Sequence, residues 1–255
     1  MLQAHSFLWH YLWVAPNLLL LGLGLSLWKR NFQAQYPFFL AFSILGAIEQ
    51  LVLYVSDVMP SVSPTAWWLI FWVGLVLEGL LKFAVVGEIF ARVFDPYPSL
   101  AKLGKFLIHV VGTLLILTAA IAAAYAPKDS LFGIVSGAHL LQQTIYLIES
   151  GLLLFIFVFS AYFQLTFERK VFGIGLGLAI SACVHLGTWA VLANGGLPAS
   201  KRSIFDLINM ATFHICILIW FYYLFVPATA SETSAVPIPE NNLALWNREL
   251  ERLLQ

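Results

Sequence analysis

Polar residues fall along this chain in short clusters, and between the clusters run continuous apolar stretches of the length a helix needs to cross a bilayer, about 20 residues. Seven stretches qualify: 7–28, 37–56, 66–94, 103–125, 139–163, 171–192 and 204–226. Turn-forming or charged residues separate them. These are Lys29-Arg30-Asn31, Pro60 to Pro64, Asp95 to Pro98, Pro127 to Ser130, Glu168-Arg169-Lys170 and Asn194 to Pro198. Residues 131–138 are apolar but contain Gly133 and Gly137. They read either as a re-entrant stretch or as the first turns of a long fifth helix. The runs are continuous rather than alternating, which argues against a membrane β-barrel. The pattern predicts an all-α, polytopic membrane protein: a seven-transmembrane-helix bundle over 1–226. A linker follows at 227–240, then a short amphipathic helix at 241–255, where Leu243, Trp246, Leu250 and Leu253 form one stripe. That tail lies on the membrane or against the bundle, or docks a cytoplasmic protein partner.

Composition narrows the class. Hydrophobic residues make up 61% and charged residues 10%, against about 45–50% and 25% in soluble domains. A water-soluble enzyme, a basic nucleic-acid-binding domain and a disulfide-stapled module are excluded, so the expected surroundings are lipid and no nucleic acid. Charge distribution sets the expected orientation. Lys29, Arg30, Arg92, Lys102, Lys105, Arg169, Lys170, Arg248 and Arg252 fall on one side, and Lys128, Lys201 and Arg202 on the other. Nine against three predicts an outside N-terminus and a cytoplasmic C-terminus, in an inner (plasma) membrane. Residues 1–7 hold no Lys or Arg, so no cleavable leader is expected. Cys183 and Cys216 lie inside spans and match no metal or redox spacing.

Several stretches resemble an uncharacterised family of bacterial seven-helix inner-membrane proteins. They are Tyr36-Pro37-Phe38-Phe39, Val86 to Phe94 followed by Pro96-Tyr97-Pro98, Phe155 to Tyr162, Phe172 to Gly177, and Leu245 to Leu254. The resemblance covers most of the chain and implies the same fold and topology, with no activity attached. A microbial rhodopsin is rejected, because the last span lacks the lysine that would bind retinal. The alkaline-ceramidase-like hydrolases carry a His-x-x-x-His pair where this chain has only His214.

Ionisable side chains inside the apolar runs are the candidate chemistry, since each costs about 2.5–3.5 kcal/mol on insertion scales. They are Glu49, Glu78, Lys82, Glu88, Glu149, His185, Asp206 and His214. Glu78–Lys82 and Glu88–Arg92 are i,i+4 pairs with the acid first. The second, near a span end, reads as self-neutralising. His139, Gln142, Gln143, Tyr146, Glu149 and Ser150 share one face of the fifth span, which must point away from lipid. Counted at about 1.5 Å per residue, Glu49, Glu78, Glu149, His185 and His214 reach similar depths. The expected site is therefore an outward-opening, ligand-binding polar pocket built from Glu49, Glu78, Lys82, Tyr146, Glu149, His185 and His214, with Glu149 central and Asp206 and Asn209 at its mouth. Three carboxylates against one lysine make it acidic unless protons are retained. Gly173, Gly177 and Ser181 form a small-residue seam for close helix approach.

The leading functional reading is a ligand- or ion-responsive membrane component without enzyme activity, cofactor or metal. Alternatives are a proton- or cation-coupled transporter, a membrane-embedded metal-dependent hydrolase using His185 and His214, and a b-type haem protein with those two histidines as axial ligands.

Overall fold

The computed structural model describes residues 6–95, 131–162, 167–193 and 199–227, together with Leu165 and isolated positions between 102 and 117 and at 252. Regular structure among them is helical. The helices are α1 (Phe7–Lys29), α2 (Pro37–Val58), α3 (Pro64–Val93), α4 (Leu131–Tyr162), α5 (Arg169–Ala193) and α6 (Ala199–Phe225), with a 3₁₀ turn, Phe32–Ala34, between the first two. All six helices are long and apolar enough to cross a membrane. Their bounds lie within two residues of those the hydropathy pattern predicts, except that α4 begins eight residues earlier, at Leu131, and α6 five earlier, at Ala199. The apolar run at 103–125, the linker at 227–240 and the amphipathic stripe at 241–255 lie outside the described residues, apart from isolated positions in the first, Pro227 and Arg252. Residues 131–138 belong to α4, which is one continuous helix of 32 residues, so the long-helix reading holds over the re-entrant one.

Helix boundaries follow local chemistry. Ser6 caps α1 by accepting from the Trp9 N–H, and Ser63 caps α3 by accepting from the Ala66 N–H, with Pro64 in the first turn. Asn31 takes the left-handed conformation (φ 56°) that turns the chain out of α1. Tyr36, at the start of α2, offers no side-chain cap of its own.

Each helix packs on its neighbours in the chain, α6 returns to α1, and α3 also touches α5. Directions follow from paired residues. Gly24 meets Ile44, Gly74 meets Glu49, and His139 meets Trp189, so α1–α2, α2–α3 and α4–α5 are antiparallel. By contrast α3 and α4 are parallel: Lys82 pairs with Glu149, and Phe94 with Phe159 twelve and ten residues further on. The small-residue seam on α5 receives α6. Gly173 lies against Tyr223, and Gly177 against Trp220, whose indole N–H donates to the Ile174 carbonyl at 3.2 Å. A Cβ at either glycine would collide with an aromatic ring, so the crossing depends on their absence.

The main apolar core occupies the half of the bundle nearest Lys29, Arg92 and Arg169. It includes Leu23, Phe39, Val86, Ile156, Leu178 and Trp220. A smaller cluster of Leu75, Phe83, Leu141 and Ile145 joins α3 to α4. On the outer face of α4, Leu140, Leu147 and Leu154 are 61–65% exposed at seven-residue intervals. Such a stripe suits lipid, and the opposite face of the same helix carries its polar residues.

Candidate functional site

Those polar residues converge on Lys82. The ammonium lies 2.9 Å from Glu78 one turn earlier on α3 and 3.5 Å from Glu149 on α4. It also stands over the Tyr146 ring, 4.4 Å from its centroid. Lys82 is 4% exposed and Glu149 0%. The Glu78 and Glu149 oxygens facing the ammonium are therefore no more than about 6.4 Å apart, the sum of the two distances. Neither Glu149 oxygen accepts a hydrogen bond among the described residues, so its charge is balanced through the 3.5 Å approach to Lys82. Two carboxylates around one ammonium leave a formal charge of −1 in a setting where each desolvated charge costs several kcal/mol.

Tyr146 and His185 extend the cluster toward α5. Their rings stack at 4.2 Å with 22° between planes. The His185 Nδ1 lies 3.1 Å from the Ser181 carbonyl. A carbonyl only accepts, so Nδ1 is the donor in this contact. Thr188 continues the track to α6: its hydroxyl stands 2.8 Å from the His185 carbonyl and 3.2 Å from the Asn209 side-chain oxygen. Gln142 lies between His139 and Tyr146, within reach of both.

Glu49 borders the cluster from α2. Its carboxylate is pressed against Gly74 of α3, accepts from Gln50 at 3.0 Å and lies within the electrostatic reach of Glu78 and Lys82. Five of the seven residues expected at the site, Glu78, Lys82, Tyr146, Glu149 and His185, thus form one contiguous group, and Glu49 adjoins it. His214 stands apart, its ring facing Tyr11 of α1 at 6.1 Å. Asp206 is exposed. Ser150 bonds the Leu147 carbonyl of its own helix instead of orienting anything at Glu149. Similar depth along a helix axis does not ensure similar azimuth, which is why the depth count grouped His214 with the rest. Among the described residues no three His, Cys, Asp or Glu groups are placed to share a metal ion.

At the end of the bundle bearing Lys29 and Arg169, a second polar network went unseen in the sequence. Glu88 does not serve mainly to neutralise Arg92. Its two oxygens accept the Phe38 and Phe39 N–H groups at 3.3 and 3.1 Å, the first donors of a helix whose first residue is Pro37. Arg92 instead donates to the Gln35 carbonyl at 2.6 Å and covers the Tyr36 ring. The buried Tyr36 hydroxyl donates to Glu168 at 2.7 Å. The missing cap before Pro37 was the available signal: a helix start with no local acceptor asks for one from elsewhere. Two clefts open at this end. One, of about 200 Å³, is lined by Arg92, Asp95 and Glu168; the other, of about 360 Å³, by Arg169 and four aromatic residues.

No family model, curated protein or solved structure matches the chain. What stands is a multi-pass arrangement of six apolar, membrane-spanning-capable helices around a buried lysine–glutamate cluster.

Proposed function

We propose that the chain is a seven-helix, multi-pass protein of the inner membrane, with its N-terminus outside, that responds to an ion or small polar ligand at the Lys82 cluster. The observation that carries this reading is the burial of Lys82 between Glu78 and Glu149, which leaves a net negative charge inside an apolar bundle. Such a group is costly as mere packing and gains from binding a proton or another cation. The seventh span is supported by direction. Because α3 and α4 run parallel, the chain leaving α3 at the basic end must return to the opposite end before α4 begins. The apolar run at 103–125 has the length to do so. Membership of the bacterial seven-helix family, an outward opening, and a protein partner at the tail helix belong to the same proposal.

The experiment is ion-linked stability of the purified full chain. Thermal unfolding measured across pH, and with added sodium or potassium, should shift for the wild type. Glu149→Gln, which keeps the shape and removes the charge, should flatten that response while the protein still folds. An equal response in both proteins would overturn the reading. Coupled transport is a second reading, favoured by the track Tyr146–His185–Thr188–Asn209 that leads from the cluster across α5 to α6. Proteoliposomes with an entrapped pH dye separate the two, since only a transporter moves protons down an imposed gradient.

A further inference from the structure

The two carboxylates that share Lys82 are not equivalent. Glu78 lies 2.9 Å from the ammonium, one turn away on the same helix, and its side chain is 22% exposed. Glu149 approaches to 3.5 Å from the neighbouring helix, is fully buried, and neither of its oxygens accepts a hydrogen bond among the described residues. One ammonium neutralises one carboxylate, and the closer, less deeply buried Glu78 is the better partner. The surplus charge therefore falls on Glu149, which has no donor to stabilise it. Among the described residues, the groups that face it from the surrounding helices supply no second cation. Tyr146 on its own helix and Cys216 of α6 lie within its electrostatic reach, and both are neutral when protonated. His185 of α5 stacks on Tyr146 within reach of Lys82, so a positive charge on its ring would stand beside an existing one. Glu49 of α2, within reach of Glu78 and Lys82, adds a further carboxylate.

We propose that Glu149 is a proton-binding site, holding a proton while Lys82 and Glu78 remain an ion pair. The inference rests on the reading of the Lys82 cluster as ion-responsive and names the ion. Uptake forms one O–H bond on a Glu149 oxygen, with the proton drawn from water. It takes the formal charge of Lys82, Glu78 and Glu149 together from −1 to 0. The drive is relief of an unpaired, desolvated charge in an apolar bundle. A metal cation would have to settle beside the Lys82 ammonium and be repelled by it, whereas a proton binds on the carboxylate itself, at an oxygen without a hydrogen-bond partner.

The test is infrared spectroscopy of the purified full chain, reading the carbonyl stretch of a protonated carboxyl across pH. The wild type should show this band at neutral pH, where a solvated glutamate is ionised, and lose it in the alkaline range. Isotope-labelled glutamate should move the band, which separates it from any aspartate. Glu149→Gln should abolish it and Glu49→Gln should keep it. Glu78→Gln leaves Lys82 to balance Glu149 alone, so the band should disappear about one pH unit lower, a tenfold loss of proton affinity. Sodium or potassium at constant ionic strength should leave the midpoint unchanged. Absence of the band in the wild type, its survival in Glu149→Gln, its loss in Glu49→Gln or an unshifted midpoint in Glu78→Gln would each overturn the proposal, and the first needs no variant to fold. A midpoint that moves with sodium or potassium would overturn it in favour of a metal cation and leave the ion-responsive reading standing. That broader reading fails by a different result, the equal thermal response of wild type and Glu149→Gln.

Discussion

Lys82 and Tyr36 are two buried side chains, each at the centre of a polar cluster. They solve the problem of burial differently. Lys82 is surrounded by opposite charge from two helices. Tyr36 is 1% exposed, hydrogen-bonds Glu168 and lies under the Arg92 guanidinium. Burial, and after it the Glu168 hydrogen bond, hold the Tyr36 phenol well above its ordinary ionisation range. An acid whose folded value is raised contributes its stability while it stays protonated in both states. That contribution is lost as pH rises past the unfolded tyrosine value of about 10. Tyr36→Phe should therefore cost about 1.5 kcal/mol near neutral pH, the scale of a hydrogen bond to a charged group. The gap from wild type should narrow above pH 10. Denaturation of both proteins at neutral and alkaline pH checks this, and a gap that widens would refute it.

Among the elements, α2 has a start that depends on another helix. Pro37 removes one of the four unsatisfied N–H groups, and Glu88 of α3 accepts the next two. The negative charge also faces the positive end of the α2 dipole. Glu88→Ala should destabilise the bundle by about 1–2 kcal/mol, as loss of a good cap does, and should speed hydrogen exchange at Phe38 and Phe39 more than elsewhere in α2. A uniform change along α2 would show that Glu88 acts by packing and not as a cap. Tyr36 to Phe39 and Val86 to Phe94 supply the two partners in this contact.

At the scale of the molecule, direction of travel is the strongest constraint. The parallel pairing of α3 with α4 supports the proposed crossing between them, and the nine-to-three charge bias supports the proposed cytoplasmic side for the basic end. Single cysteines at Ser61 and Lys102 should therefore label from opposite faces of intact membranes. Labelling of both from one face would discard the topology.

Hydropathy alone determined the class and most helix boundaries, the starts of α4 and α6 excepted, because lipid forces every backbone polar group into an intrahelical bond and makes each span a continuous apolar run. It also marked Gly173 and Gly177 as a contact seam and the α4 polar face as inward, since both are properties of one helix read at its own period. Even the Glu78–Lys82 pair was legible, its two members being one turn apart on the same helix. Azimuth between helices was not. Depth can be counted along a chain, but which face of α6 meets which neighbour depends on how all the helices pack together. Hence Glu149 reaches Lys82, while His214, counted to a similar depth, faces Tyr11 of α1. Glu88 was misjudged for the same reason: its nearest charge in sequence is Arg92, but the acceptor-hungry end of α2, fifty residues earlier, lies against it only in the folded bundle.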